Sequence, residues 1–168
     1  ALAIPGDATV LVTSQNGSVM ETYTVSFAAT VPGQSPLPGT PNAEVLSVYG
    51  DTGGFTTIWT PDYTFGAVAG RPDLDPSAGV NEAIKMDFSI VEYGEGTNTQ
   101  TDVTEYNWVH FDYFADADAV KIRFILIGGG EFFYDLTPTS TPYGTLVTGS
   151  WQSIDIPLSY FTGIGWNK

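Results

Sequence analysis

Apolar and polar positions alternate with a period of two along most of the chain, and the three-to-four spacing of an amphipathic helix nowhere persists beyond two turns. The run "TVLVTSQNGSVMETYTVSF" (9–27) is two β-rich stretches around Asn16-Gly17, a dipeptide that favours a tight turn with both central residues at positive φ. It predicts a hairpin. From Glu44 onward, short strands are predicted at 44–50, 55–60, 83–92, 105–114, 120–127, 131–136 and 151–156, separated by Gly, Pro, Asn or Asp clusters. Many short strands divided by turn chemistry mean an all-β sandwich or barrel.

Between these regions lies "AATVPGQSPLPGTPNA" (28–43), with four prolines and no periodicity. Proline blocks both the strand ladder and the helix, so this stretch reads as a linker. The expected organisation is the C-terminal hairpin of an upstream β-domain (1–30), a Pro-rich linker (31–43) and a β-sandwich (44–168). "DADA" at 116–119 reads as a turn joining two long strands, which makes 105–127 an antiparallel hairpin. In those strands Val109, Phe111 and Tyr113 share one face, and Ile122, Phe124 and Leu126 share another. These two triplets are the expected core faces. Trp108, His110, Asp112 and Phe114 fall on the opposite face, towards solvent, a ligand or another part of the domain.

Charge narrows the partners. Nineteen acidic residues against 5 basic ones give a net charge of −14, and no run of three basic residues occurs. Phosphate binding needs clustered Lys and Arg, so a nucleic-acid partner is not expected. Only 14% of residues are charged, so the surface is polar through Gly, Thr, Ser, Asn and Tyr, which suits neutral polyhydroxylated ligands. No apolar run approaches the roughly 20 residues that span a bilayer, and membrane insertion is not expected. The chain has no cysteine, which a secreted protein tolerates when its core is large or a metal takes the disulfides' place. It begins at Ala1 with neither Met nor a basic-then-apolar leader, so a signal peptide, if one existed, has been removed or lies upstream.

Three stretches carry a family resemblance: "VLSVYGDTGGFTTIWTPDY" (45–63), "NWVHFDYFADADAVKIRFILI" (107–127) and "GSWQSIDIPLSYF" (149–161). Together they resemble the β-jelly-roll carbohydrate-binding modules attached to secreted glycoside hydrolases of Bacteroidetes-type bacteria. The leading hairpin is similar to the end of a cadherin-like or immunoglobulin-like repeat. The resemblance implies a jelly-roll sandwich, an extracellular location and a polysaccharide partner, within a longer chain of several domains. It also implies a further pair of strands, the last with an Asp-Asn pair, whereas this sequence stops at "TGIGWNK". Either the sequence is a fragment, or its last strand is disordered or comes from another chain, as in donor-strand assembly; without it an edge stays open.

Several residues are candidates for chemistry. Sugar binding uses flat aromatic faces against the C–H side of a pyranose, with amides and carboxylates for the hydroxyls. Trp59 and Tyr63 flank Pro61 in "IWTPDYTF", and Tyr93 opens the Gly-rich loop "YGEGTNTQ", which also carries Asn98 and Gln100. In the resembling modules an aromatic after the first strand and a polar middle-loop residue line the cleft, which points to Trp59 and Tyr93. The alternative is that these rings cap the ends of the sandwich. Trp108 and Trp151 open strands and are expected to pack.

Calcium takes oxygen ligands, and the resemblance implies a structural calcium near the first strand. Asp51 in "YGDTGG" is the candidate ligand, its alternative being an ordinary turn residue. "RPDLDPSAG" (71–79) is a second acidic loop, and neither has EF-hand spacing.

Glycosidic hydrolysis needs two carboxylates about 5–9.5 Å apart, one with a raised pKa. Pairs such as Glu92 with Glu95 or Asp116 with Asp118 exist, but in turn contexts where acids serve the backbone. His110, the lone histidine, has no nucleophile motif and no second His nearby, and is expected to pair with a neighbouring acid. The expected function is non-catalytic recognition of a neutral, β-glucan-like polysaccharide. The rivals are an adhesin or filament subunit and a glycoside hydrolase fragment.

Overall fold

The computed structural model describes residues 6–27, 36, 39–49, 55–72, 74, 83–87 and 92–168. The chain divides into two compact units, Ala1–Val31 and Pro32–Lys168.

The first unit is a hairpin. Strand β1 (Gly6–Thr13) pairs antiparallel with β2 (Met20–Phe27), with Val10 opposite Tyr23 and Thr13 opposite Met20. The turn differs from the expected one. Among the described residues only glycines have positive φ, and Gly17, at 70°, is the one here. The Ser14 carbonyl accepts the Gly17 N–H (2.8 Å), while the Ser14 N–H donates to the Val19 carbonyl (2.9 Å). Asn16 is the cause: its amide oxygen accepts both the Ser14 and Ser18 hydroxyls (2.7 Å each) and the Ser18 N–H (3.1 Å). This cage fixes Asn16 and leaves the left-handed step to glycine alone.

In the second unit every named strand pair is antiparallel. Strand β3 (Tyr63–Gly66) pairs with β4 (Tyr93–Gly96), and β5 (Trp108–Phe114) with β8 (Trp151–Pro157). Strand β6 (Ile122–Ile127) pairs with β7 (Glu131–Leu136) across the tight Gly128–Gly130 turn. The chain around these pairs is mostly irregular, so the fold is all-β with small sheets.

The expected core faces meet. Val109, Phe111 and Tyr113 of β5 join Ile154 and Ile156 of β8. Facing them are Ile122, Phe124 and Leu126 of β6 with Tyr134 and Leu136 of β7. The rings of Phe111 and Phe124 stack across the middle at 5.1 Å. A short helix, α1 (Leu158–Gly163), follows Pro157 and adds the buried Leu158 and Phe161. Pro157 lacks the N–H that a longer ladder would need, and β8 ends there. Tyr134, Tyr143 and Tyr160 meet edge-to-face in pairs at 5.4–5.7 Å, the arrangement that ring quadrupoles favour.

Several expectations are corrected. The turn at Asp116–Ala119 forms, with the Ala119 N–H on the Asp116 carbonyl (3.0 Å), but 105–127 is not a hairpin. Its strands belong to different pairs because both triplets must turn inward, and the chain crosses from one layer to the other. Among the described residues, the runs 44–50 and 55–60 meet at one parallel bridge, Ser47 with Ile58, rather than in strands. The first run starts in a 3-10 turn at Asn42–Glu44 and the second runs into Pro61, so neither can extend a ladder. Within 83–92, Lys85 bridges Gly70, and residues 88–91 lie outside the described residues. Most of the linker, residues 28–35 and 37–38, lies outside them too.

Candidate functional site

The β3–β4 pair organises the residues expected to meet a ligand. Two of them were placed in loops by their sequence and instead lie on strands: Tyr63 opens β3 and Tyr93 opens β4. Glycine at every second position of β4 disguised it, since Gly has poor strand propensity. The register supplies the compensation. Gly96 lies opposite Tyr63 and Gly94 opposite Phe65. A Cβ at Gly96 would sit 2.4 Å from the Tyr63 ring, and one at Gly94 2.1 Å from the Phe65 ring. Each ring therefore lies down over a bare glycine backbone and shields its ladder hydrogen bonds, a recognised way to stabilise glycine in strands.

This backing matters for Tyr63. One face of the ring is supported by Gly96, and 48% of the residue is open to solvent. A flat ring with a fixed support and a free face is pre-organised for stacking.

Trp59, Asn98 and Gln100 gather at the same end. The Trp59 indole N–H donates to the Thr101 hydroxyl (2.9 Å), and its backbone N–H donates to the Ser47 carbonyl (2.9 Å). Asp62 ties the 97–101 loop to β3: its N–H donates to the Gly96 carbonyl (2.9 Å), and its carboxylate accepts the Asn98 N–H (2.7 Å). Trp59 is half-buried, so much of its ring is framework, while the side chains of Asn98 and Gln100 are exposed. The sequence distance of 42 residues between Trp59 and Thr101 is closed by these bonds.

Tyr93 is not brought to this group. It lies opposite Gly66, and three residues separate it from Gly96, so its side chain leaves the other face of the pair from Tyr63. It is also occupied. Its hydroxyl donates to Glu95 (2.5 Å) and accepts from Arg71 Nη2 (3.0 Å), and the Arg71 guanidinium lies over its ring at 5.9 Å. The hydrogen bond to Glu95, with burial second, pushes the Tyr93 phenol above its ordinary pKa. The same guanidinium lies over Tyr49 at 5.2 Å. Arg71 thus clamps two rings and a carboxylate on this face.

His110 has the acid partners its strand position foretold. Its Nδ1 is 2.8 Å from Asp155 directly across the pair, and its Nε2 is 3.5 Å from Asp112. The Ser153 hydroxyl donates to Asp112 (2.5 Å) rather than to the imidazole, so it is not lined up on the ring as a nucleophile.

Trp151 opens β8 and packs edge-on against Phe114 at 6.0 Å, as expected. Trp108 does not pack: 60% of it is exposed at the start of β5. Its inward neighbours Val109 and Phe111 fill the core, and alternation leaves Trp108 outside. The sequence held this signal, since the same alternation that buries Val109 exposes Trp108.

Asp51 lies outside the described residues. Among the described residues no three His, Asp or Glu side chains converge as a metal site. No helix of the described residues is long and apolar enough to cross a membrane.

Compared with protein-family models, with curated proteins and with solved structures, the chain matches none.

Proposed function

We propose that this chain is a non-catalytic carbohydrate-binding module of jelly-roll type, acting outside the cell as part of a longer protein. Its ligand is a neutral, β-glucan-like polysaccharide. The observation that carries this reading is the Tyr63 ring, laid on Gly96 with its other face open, beside Trp59 and the exposed amides of Asn98 and Gln100. A pyranose would place its C–H face on Tyr63 and its rim hydroxyls against those amides. Tyr93, held by Arg71 and Glu95, stiffens β4 from behind. Calcium at Asp51 rests on the resemblance alone and carries no part of the reading.

The absence of acid–base work is part of the proposal. His110 is bracketed by two carboxylates and Ser153 bonds to Asp112, an arrangement that supports a scaffold role.

The test is a calorimetric titration with soluble β-glucans and their oligosaccharides. Wild type is expected to bind at least one of them, and Tyr63→Ala to weaken that binding by about tenfold, or about 1.4 kcal/mol. Failure of wild type to bind any glycan at millimolar sugar would remove the reading; unchanged affinity in Tyr63→Ala would remove this site.

A second reading, an adhesin or assembly subunit, draws on the first unit. One face of the hairpin presents Val10, Val12, Tyr23 and Val25, all 45–53% exposed. Concentration-dependent polymers on size exclusion, together with no glycan affinity, would favour it.

A further inference from the structure

A tryptophan buries roughly 150–250 Å² when it packs, so leaving one outside forgoes a large gain unless the ring has other work. Trp108 is the most exposed of the aromatic side chains that the described residues leave open to solvent. It stands across from Pro157 and lines a groove of about 290 Å³ that also has Asn107, Ser159, Thr162 and Lys168 in its lining, with the Lys168 ammonium donating to the Thr104 carbonyl (3.0 Å). The groove is therefore an indole plate rimmed by an amide, two hydroxyls and one ammonium.

The plate continues into a strip. Every second residue of β5 points outward with Trp108, namely His110, Asp112 and Phe114. Their cross-strand partners on β8 are Asp155, Ser153 and Trp151. From Trp108 to Phe114 is six residue steps, or about 20 Å of strand. The middle is fixed by bonds: His110 to Asp155 at 2.8 Å and Ser153 to Asp112 at 2.5 Å. Phe114 and Trp151 meet edge-on at the far end. The Asp155 side chain is 64% exposed and that of His110 35%, so both can also bond to a ligand. The strip thus reads aromatic, polar, aromatic, with its polar groups already held in place.

Its chemistry selects the ligand class. Lys168 lies at the Trp108 end, but the strip's eight residues carry two carboxylates and no Lys or Arg on a chain of net charge −14, which disfavours phosphate and uronate polymers. Carboxylates accept hydrogen bonds from hydroxyls, and an open indole stacks on the C–H face of a pyranose. A length of several residues suits a chain rather than one sugar.

We infer that the outer face of the β5–β8 pair is a second glycan-contacting surface, which takes an extended neutral oligosaccharide with Trp108 as its stacking residue. The inference takes its ligand class from the proposed function, but its site is separate from Tyr63.

The experiment titrates cellobiose, cellohexaose, laminarihexaose and xylohexaose calorimetrically into the full chain and into Trp108→Ala, Trp108→Tyr, Asp155→Ala and Tyr63→Ala, with circular dichroism as the folding control. Wild type is expected to bind a hexasaccharide better than the disaccharide. Trp108→Ala should lose on the order of tenfold in hexasaccharide affinity, Asp155→Ala severalfold, and Trp108→Tyr little. That pattern supports the strip whether or not Tyr63→Ala also weakens binding. Wild-type affinity in Trp108→Ala beside a loss in Tyr63→Ala overturns the strip and leaves the proposed function standing. No binding of any glycan by wild type overturns both. If Trp108→Ala fails to fold, a severalfold loss in folded Asp155→Ala supports the strip, and unchanged binding in both Asp155→Ala and Trp108→Tyr overturns it.

Discussion

Gly66 and Gly96 stand at the two ends of one four-residue ladder, yet a methyl group would cost different amounts at each. Gly66 has φ of 71°, and a Cβ there would lie 2.0 Å from the Glu92 carbonyl oxygen, which is backbone and cannot swing away. Gly66→Ala is expected to cost about 2 kcal/mol or more from the left-handed backbone and the clash together. Gly96 has no such backbone demand, and its Cβ would meet the outer end of the half-exposed Tyr63 ring. Gly96→Ala should cost under about 1 kcal/mol while tilting that ring, so denaturant unfolding would change little and glycan affinity would fall. Equal destabilisation by the two would contradict this account of the site. On β6 and β7, Arg123 grips Asp135 with two bonds, at 2.6 and 2.8 Å, and lies over the Phe133 ring at 3.8 Å. The hydrogen bond from Arg123 holds the Asp135 carboxyl below its ordinary value of 3.8. A depressed folded-state pKa stabilises above the unfolded value, and that contribution is lost as pH falls through the folded one. The stability difference between wild type and Asp135→Asn should therefore be constant from neutral pH to about 5, shrink below 3.8 and vanish in stronger acid. A difference that grew on acidification would have the wrong sign. Both groups are substantially exposed, so the effect is small and weakens with salt.

Strand identity was more legible than strand partnership. Alternation located β5, β6, β7 and β8 and named the residues that β5 and β6 turn inward, because a half-buried strand writes its two faces directly into the sequence. Partnership is not written in the same way. A turn centred on Ala117 and Asp118 puts Phe111 level with Phe124 whether the strands lie side by side or face each other across a core. The stacked pair at 5.1 Å is common to both arrangements, and only the β8 and β7 ladders distinguish them. Cross-strand NOEs should connect 108–114 with 151–157 and 122–127 with 131–136. NOEs pairing 108–114 with 122–127 in hairpin register would contradict the layered packing. The candidate site was legible in its residue types and less so in its geometry. Trp59, Tyr63, Asn98 and Gln100 share one end because Asp62 and Thr101 bind the intervening chain, and no periodicity announces such bonds. Tyr93 went to the opposite face through a register in which glycines, the least informative strand residues, oppose the rings. Trp108 was on the outer face by the same count that buried Val109, and the assumption that tryptophans pack hid it.

At the scale of the whole chain, the core formed by the β5–β8 and β6–β7 pairs has the polar, acidic exterior that the composition foretells, and aromatic rings break that exterior at Tyr63 and Trp108. Neutral ligands feel little of a net charge of −14, whereas phosphate and uronate polymers are repelled by it. Glycan affinity should therefore be nearly independent of salt, unlike the steep dependence of a nucleic-acid complex. The most direct measurement is a titration of the intact chain with a neutral β-glucan at low and high salt, with reducing ends assayed in the same samples. Saturable binding, unmoved by salt and releasing no new reducing ends, is the predicted result. Release of sugar by the pure protein, or the absence of binding to any neutral glycan, would contradict it.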